Sequence, residues 1–259
     1  MYETIVIGAT DPNGTRDALL LARQLGSANA RCFVLRRGER EPRERAASHL
    51  ERAATRLDAG LVIVAGPNGR AIATAPAGPG DDGPLLWGER PPHATVVIPE
   101  RYRRRRRRVT AVGLAYEPEQ TGSAAVAHAV LLARQLGGEL VPLTVIDPCE
   151  QPDEGGSVAG ADLDALFSAL RRRIGRIGQH EIELVVGTPS IELDRFSDRV
   201  DVIVCGSGAG RGNRPTLGST TGPLAAHARC PVLIAPPSDQ RAVARWEPQR
   251  ERPARAVAV

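Results

Sequence analysis

The sequence predicts an α/β fold with parallel sheets, and two observations carry this prediction. Residues 202–205 and 232–235 are apolar runs too short for helices, bounded by glycine and proline, which is typical of buried parallel strands. The heptapeptide LLARQLG occurs identically at residues 20–26 and 131–137, each time in a helix that follows a glycine-containing strand. Such self-similarity indicates an internal duplication. We therefore expect two tandem Rossmann-like halves with right-handed crossovers.

The composition is that of a globular protein. The chain has 259 residues, of which 42% are apolar and 25% charged, and it is long enough for two domains with their own cores. No apolar run approaches the length of a membrane span, and the first residues lead directly into a strand. We expect a cytoplasmic protein without a membrane partner.

Cysteine and histidine give no sign of metal chemistry. The four cysteines and five histidines are scattered, without a C-x-x-C pair or ligand spacing. The sequence therefore indicates no metal site, no disulfide framework and no catalytic nucleophile with its base.

The first half, residues 1–100, is expected to be a degenerate copy. Its predicted strands cover residues 3–8, 31–35, 61–64 and 94–99, and its helices residues 15–26 and 42–57. Residues 67–92 are rich in Gly, Pro and Ala without periodicity, so little regular structure is expected there. No counterpart of residues 182–198 can be found in this half.

Residues 101–108 form an arginine-rich block that we interpret as the linker between the halves. The alternative is binding of nucleic acid or an acidic partner, because the block could neutralise several phosphates. Tyr102 is the only aromatic residue in it, which argues against base stacking and hence against nucleic acid. The formal net charge is only +4, so the positive charge is local.

The second half, residues 109–237, is the more complete copy. Its predicted strands start at residue 109 and cover residues 140–146, 182–186, 202–205 and 232–235, with helices over 123–137 and 162–177, after Pro189 and near residue 224. Residues 147–160 are expected to form an acidic loop. The tail, residues 238–259, mixes Arg, Pro, Gln and Glu and is expected to be disordered, with docking of Trp246 as the alternative.

A glycine-rich loop comes directly after the strand at residues 202–205. Glycines lack the Cβ atoms that keep backbone N–H groups away from an anion, and hydroxyls at a helix start suit a phosphate. The loop and the helix start after it contain these residues: Gly206, Gly208, Gly210, Gly212, Gly218, Ser219, Thr220 and Thr221.

This loop resembles a known motif. Nine residues separate Gly208 from Gly218-Ser219, and this spacing is similar to the latter part of the motif G-x2-G-x9-G-[S/T] of the universal stress protein family. The segments CPVLIAPP and VGTPSIEL are similar to further segments of that family. The resemblance implies two copies of a five-stranded, adenine nucleotide alpha hydrolase-like domain. It also implies a pseudo-dimer in which residues 95–98 pair with residues 232–235.

The resemblance further implies a binding site for ATP, with or without Mg²⁺. By position, the site residues would be Ala115, Tyr116, Glu117, Val145, Gly206, Gly208, Gly218, Ser219, Thr220 and Thr221. Glu117 stands where the family has aspartate, and the loop between Gly206 and Gly208 is one residue shorter than the family pattern.

The function expected from the family is that of a bacterial, nucleotide-dependent regulatory protein in stress response, acting on an unidentified protein partner, with homodimerisation open. No candidate general base lies near the motif, so at most slow ATP hydrolysis is expected. A scaffold that binds no nucleotide and a binder that acts through the arginine block are the alternatives. AMP or a cyclic nucleotide also remains open as the ligand.

Overall fold

The structure, a computed structural model, describes residues 2–9, 11–36, 43–65, 93–99, 102, 108–117, 121–147, 177, 179–207 and 220–246. The strands in these ranges are β1 (Tyr2–Ala9), β2 (Gly26–Arg36), β3 (Leu61–Ala65), β4 (Thr95–Ile98), β5 (Ala111–Ala115), β6 (Glu139–Ile146), β7 (Glu183–Val186), β8 (Val202–Gly206) and β9 (Val232–Ala235). The helices are α1 (Pro12–Leu25), α2 (Arg43–Arg56), α3 (Ser123–Leu136), α4 (Pro189–Phe196), α5 (Thr221–His227) and α6 (Gln240–Trp246).

These strands form a single sheet in the order β2-β1-β3-β4-β9-β8-β5-β6-β7. Neighbouring strands are parallel except at the contact between β4 and β9. The second half contributes five strands, as the α/β prediction requires. In the first half, α2 alone lies between β2 and β3, where the second half has β7 and α4 between β6 and β8. Among the described residues, the first half therefore has no counterpart of β7 and α4.

The seam between the halves is the antiparallel pair β4–β9. Thr95 lies opposite Ile234, and Val96 lies opposite Leu233. All four side chains are fully buried. The predicted pairing of residues 95–98 with residues 232–235 is confirmed, and it removes two apolar strand edges from solvent.

Apolar layers cover both faces of the sheet. One cluster joins the sheet to α1, α3 and α6, and the other joins it to α2, α4 and α5. Each cluster contains residues of both halves, so the core is continuous across the seam. Some contacts are close: a Cβ on Gly113 of β5 would lie 2.6 Å from Cε1 of Phe196 on α4.

Helix α3 is buried on nearly all sides. Nine of its residues, from Ala124 to Ala133, are buried, including His128. A helix that is apolar all round must be covered all round. The sheet covers one side of α3, while α1 and α6 pack against others.

Several boundaries differ from the sequence prediction; β2, for example, begins at Gly26 and not at residue 31. Helix α1 begins at Pro12, not at residue 15, because the Asp11 carboxylate accepts hydrogen bonds from the N–H groups of Asn13 and Gly14 and caps the helix. The prediction that the tail is disordered is also wrong for residues 238–246, which contain α6. This helix is ordered because Ala242 buries its side chain and Asp239 caps the helix start.

Several expectations lie outside the described residues: the irregular stretch 67–92, the arginine block 103–107, the loop after residue 147 with the helix at 162–176, and the side chain of Trp246. In the described part of the chain, no helix is both long and apolar enough to cross a membrane.

Candidate functional site

The carboxyl ends of β5 and β8 meet at one edge of the sheet. The two strands are parallel neighbours, with Leu114 paired to Val204. The chain leaves β5 toward β6 on one side and leaves β8 toward β9 on the other. Connections that diverge in this way form a topological switch point, where open α/β sheets bind their ligands. The segment Ala115 to Glu117 lies at this point, beside Gly206.

Two threonines order the turn that comes after β5. The Thr121 hydroxyl oxygen accepts a hydrogen bond from the Glu117 N–H at 2.7 Å, and the Thr121 N–H donates to the Glu117 carbonyl at 2.7 Å. The buried Thr144 hydroxyl donates to the Tyr116 carbonyl at 2.7 Å, and the Tyr116 N–H donates to the Leu143 carbonyl at 2.8 Å. The turn at the switch point is therefore held from both β6 and the start of α3.

The predicted nucleoside-binding residues divide between the two faces of the sheet. Ala115 and Val145 are half-buried and pack with the cluster that includes α5. Tyr116 packs against the cluster that includes α3, so its ring lies on the opposite face. Glu117 is exposed at the rim. The structure thus brings Ala115 and Val145 together and separates the Tyr116 side chain from them.

The end of β8 is tied to the start of α5. The Thr221 hydroxyl donates a hydrogen bond to the Gly206 carbonyl at 3.0 Å, so its proton is not available to a phosphate. The Ser207 N–H donates to the Ala235 carbonyl of β9 at 3.1 Å. Thr220 is the N-cap of α5 but makes no side-chain capping bond. Burial raises the pKa of the neighbouring Cys205 thiol to about 12, so this thiol stays protonated.

Gly208, Gly218 and Ser219 lie outside the described residues. Their proposed part in the site rests on the sequence motif. Among the residues that the structure does describe, no group of three or more His, Cys, Asp or Glu side chains is arranged to hold a metal ion.

A second polar feature of the structure was not anticipated from the sequence. The Tyr2 hydroxyl lies 2.8 Å from Nδ1 of His128, and Nε2 of His128 lies 2.9 Å from Oδ2 of Asp239. A cavity of about 550 Å³ adjoins these residues, between the amino ends of β1, β3 and β4 and helix α6. No sequence signal could have found the cluster, because its members are 126 and 111 positions apart.

Comparison with known proteins supports the fold and gives the family. The sequence model of the Universal stress protein family matches residues 109–236. A search of the curated proteins finds no match. Among solved structures, the functionally unknown protein PA1789 from Pseudomonas aeruginosa PAO1 is similar with a TM-score of 0.57 at 13% identity, over 97% of this chain and 98% of that one. At this identity the likeness shows the fold alone.

Two further structures are similar to about half of the chain. One is a universal stress protein in complex with cAMP, with 23% identity and a TM-score of 0.35 over 51% of this chain and 100% of that chain. The other is the hypothetical protein MJ0577, with 20% identity and a TM-score of 0.41 over 51% of this chain and 99% of that chain. The family match shows that this chain carries a domain of the universal stress protein family at residues 109–236.

Proposed function

We propose that this protein is a nucleotide-binding regulatory protein whose ligand is ATP, bound at the carboxyl ends of β5, β6 and β8. The observation that carries the proposal is the topological switch point between β5 and β8. Open α/β sheets bind nucleotides in the crevice at such a point. The motif that includes Gly208, Gly218 and Ser219 begins where β8 ends.

The described residues fit the nucleoside part of the ligand. Ala115 and Val145 are apolar, half-buried and on the same face of the sheet, so they offer a wall for an adenine ring. The backbone of Tyr116 and Glu117 is fixed by the hydrogen bonds of Thr144 and Thr121. In this proposal Tyr116 contributes its backbone and not its ring, and Glu117 lies at the rim beside the ribose.

The phosphate side of the proposed site begins at Gly206. In this proposal the backbone N–H of Thr221 would donate to a phosphate oxygen. The Thr221 hydroxyl is already a donor to the Gly206 carbonyl and fixes α5 against β8. Thr220, Gly208, Gly218 and Ser219 would supply further N–H and hydroxyl donors. A Mg²⁺ ion would be held chiefly by the phosphates and water.

The proposed role is regulatory. Binding would order the loop after β8, and an unidentified protein partner, in the bacterial cytoplasm and in stress response, would recognise the ordered surface. The site offers no nucleophile with an adjacent base, so hydrolysis would depend on positioning and would be slow. The chain would accordingly divide into a degenerate domain at 1–100, a linker at 101–108 and the binding domain at 109–237.

A matched pair of threonine variants tests where the nucleotide binds. Thr121→Val removes the acceptor that orders the turn after β5, at the proposed site. Thr110→Val removes a hydroxyl that donates to Asp201 at 3.0 Å, at the opposite end of the same strand. Titration with ATP and Mg²⁺ should show about fivefold weaker binding for Thr121→Val, the equivalent of about 1 kcal/mol, and unchanged binding for Thr110→Val.

A double variant, Gly218→Val with Ser219→Ala, tests the phosphate side of the site. It should abolish the thermal stabilisation by ATP while circular dichroism shows an intact fold. Equal ATP affinities of the two threonine variants, or full ATP binding by the double variant, would show that ATP does not bind at this edge of the sheet.

A further inference from the structure

Helix α4 begins beside the end of β6, at the same edge of the sheet as the proposed nucleotide site. It follows β7, the strand that neighbours β6. Val145 of β6 is paired with Val185 of β7, and the Gly187 N–H donates a hydrogen bond to the Ile146 carbonyl at 3.0 Å. Helix α4 starts two residues after Gly187 and contacts β6. Its first turn is therefore close to Val145, where the adenine ring is proposed to lie.

Helix α4 also lies on the face of the sheet that carries the proposed adenine wall. Leu193 and Phe196 of this helix are buried in one apolar cluster. Ala115 and Val145 pack against the same cluster. The start of α4 and the two wall residues thus share both an edge and a face of the sheet.

Glu192 is the acidic residue in the first turn of α4. Its side chain is only 17% exposed. The carboxylate lies directly against the backbone of Gly187, since a Cβ on that glycine would be 2.9 Å from Cγ and 3.0 Å from Oε1 of Glu192. The lack of a Cβ at Gly187 leaves the room in which this carboxylate lies at the end of β7.

The two oxygens of the Glu192 carboxylate differ in their partners. Oε1 accepts a hydrogen bond from a guanidinium nitrogen of Arg195 at 2.8 Å. Oε2 has no hydrogen-bond partner among the residues that the structure describes. The Arg195 side chain is 72% exposed, so this ion pair adds little to stability. A carboxylate oxygen that is largely withdrawn from water requires a donor, and a ligand in the crevice can supply one.

We propose that Glu192 determines the base specificity of the nucleotide site: its Oε2 accepts a hydrogen bond from the exocyclic amino group of adenine. This inference rests on the proposed function for the site itself. It adds a means of discrimination at the 6-position of a purine. Hypoxanthine has a carbonyl oxygen where adenine has its amino group, and that oxygen would face the carboxylate without a proton between them.

The engagement of Oε1 by Arg195 also distinguishes adenine from guanine. Guanine presents two adjacent donors, its N1–H and its amino group, and matching both takes two carboxylate oxygens. Glu192 has only one oxygen open, because Arg195 holds the other. A single donor, as the 6-amino group of adenine provides, fits this arrangement.

Titration of the full chain with ATP, inosine triphosphate and GTP, each with Mg²⁺, tests the inference. Wild-type protein should bind ATP about tenfold more tightly than either of the other two, because only ATP makes the charge-assisted hydrogen bond. Glu192→Gln keeps the shape of the side chain and can turn its amide N–H₂ toward a carbonyl oxygen. The ratio of the affinities for ATP and inosine triphosphate should therefore fall to about one in this variant.

Glu183→Gln is the matched control. Glu183 is the first residue of β7, at the opposite end of that strand, and its ion pair with Arg199 is exposed like that of Glu192 with Arg195. This variant should keep the tenfold preference for ATP. Because both affinities are measured on the same variant, a loss of folded protein lowers them together, and their ratio reports the contact with the base.

The outcomes separate this inference from the proposed function. If wild-type protein binds ATP and inosine triphosphate equally, or if Glu192→Gln keeps the tenfold preference, the proposed function stands and the role of Glu192 fails. Tighter binding of GTP than of ATP would overturn the inference in the same way. If none of the three nucleotides binds, the proposed function fails, and the inference fails with it.

Discussion

Asp239 is the residue at which a single charge contributes most clearly to the fold. Its two oxygens accept hydrogen bonds from His128 and from the Ala242 N–H. These bonds, that of His128 first, lower the pKa of Asp239 from 3.8 to about 2. Because the pKa is lower in the folded than in the unfolded chain, the ionised carboxylate stabilises the fold. This contribution is complete above about pH 4 and is lost as the pH falls through about 2.

Asp239→Asn should therefore lower the free energy of unfolding by about 2 kcal/mol at neutral pH, with a difference from wild type that shrinks toward pH 2. Urea unfolding at several pH values measures the difference. Arg241→Gln, which breaks only the exposed ion pair between Arg241 and Asp58, should differ little from wild type at any of them. A difference for Asp239→Asn that is the same at acidic and neutral pH would show that its charge is not the cause.

At the scale of elements, α1 and α3 show how one heptapeptide serves two halves. The Gln24 side-chain oxygen of α1 accepts a hydrogen bond from the Val109 N–H at 2.8 Å, directly before β5. The Gln135 amide of α3 donates to the carbonyls of Leu25 and Gly26 at 3.1 and 3.0 Å. Each glutamine thus holds backbone of the other half, so the repeat marks the interface between the halves.

Gln135→Ala should destabilise the protein by about 1 kcal/mol per lost hydrogen bond, because two carbonyls at the end of α1 lose their donor. Chemical denaturation measures this change. Arg134→Ala, at the exposed neighbouring position, is the control and should change stability by less than about 0.5 kcal/mol. Equal effects of the two variants would contradict the role given to Gln135.

The strands were predictable because they are buried. In a parallel sheet covered on both faces, a strand is a continuous apolar run, and β3 and β9 are buried along their whole length. Helix ends were less predictable. The same heptapeptide ends in extended backbone at Gly26, with φ −76°, and in the left-handed region at Gly137, with φ 60°. The next element in the chain sets the difference, because β2 begins at Gly26 itself.

The candidate site was predictable in outline only. The family motif gave the position of the site residues along the chain, and strand alternation accounts for the opposite faces of Ala115 and Tyr116 once the strand is known. The hydrogen bond from the Thr221 hydroxyl to the Gly206 carbonyl was not predictable, because it depends on how α5 packs on β8. Helix α6 was missed because it is only seven residues long and is followed by a stretch of Arg, Pro, Gln and Glu; Asp239, Ala242 and Val243 are among the residues that tie it to the core.

At the scale of the whole molecule, the seam makes the halves interdependent. Leu233 at the centre of β9 is fully buried and lies opposite Val96 of β4. Both apolar clusters cross this seam. Because both clusters include residues of both halves, the described part of the chain should unfold as one unit despite the duplication.

Leu233→Ala tests this interdependence. We expect a loss of about 2–5 kcal/mol and a single transition that is shifted as a whole. Far- and near-ultraviolet circular dichroism should give coincident unfolding curves. Two separated transitions, with only one moved by the substitution, would show that the halves fold independently.

The most direct test of the proposed function is calorimetric titration of the full chain with ATP and Mg²⁺. The proposed site lies at the switch point of the five-stranded half, whereas the described residues of the first half include no counterpart of β7 and α4. We therefore predict saturable binding of one nucleotide per chain. Two equivalent sites per chain would contradict the assignment to the second half, and no binding heat at any accessible concentration, with no thermal stabilisation, would contradict nucleotide binding itself.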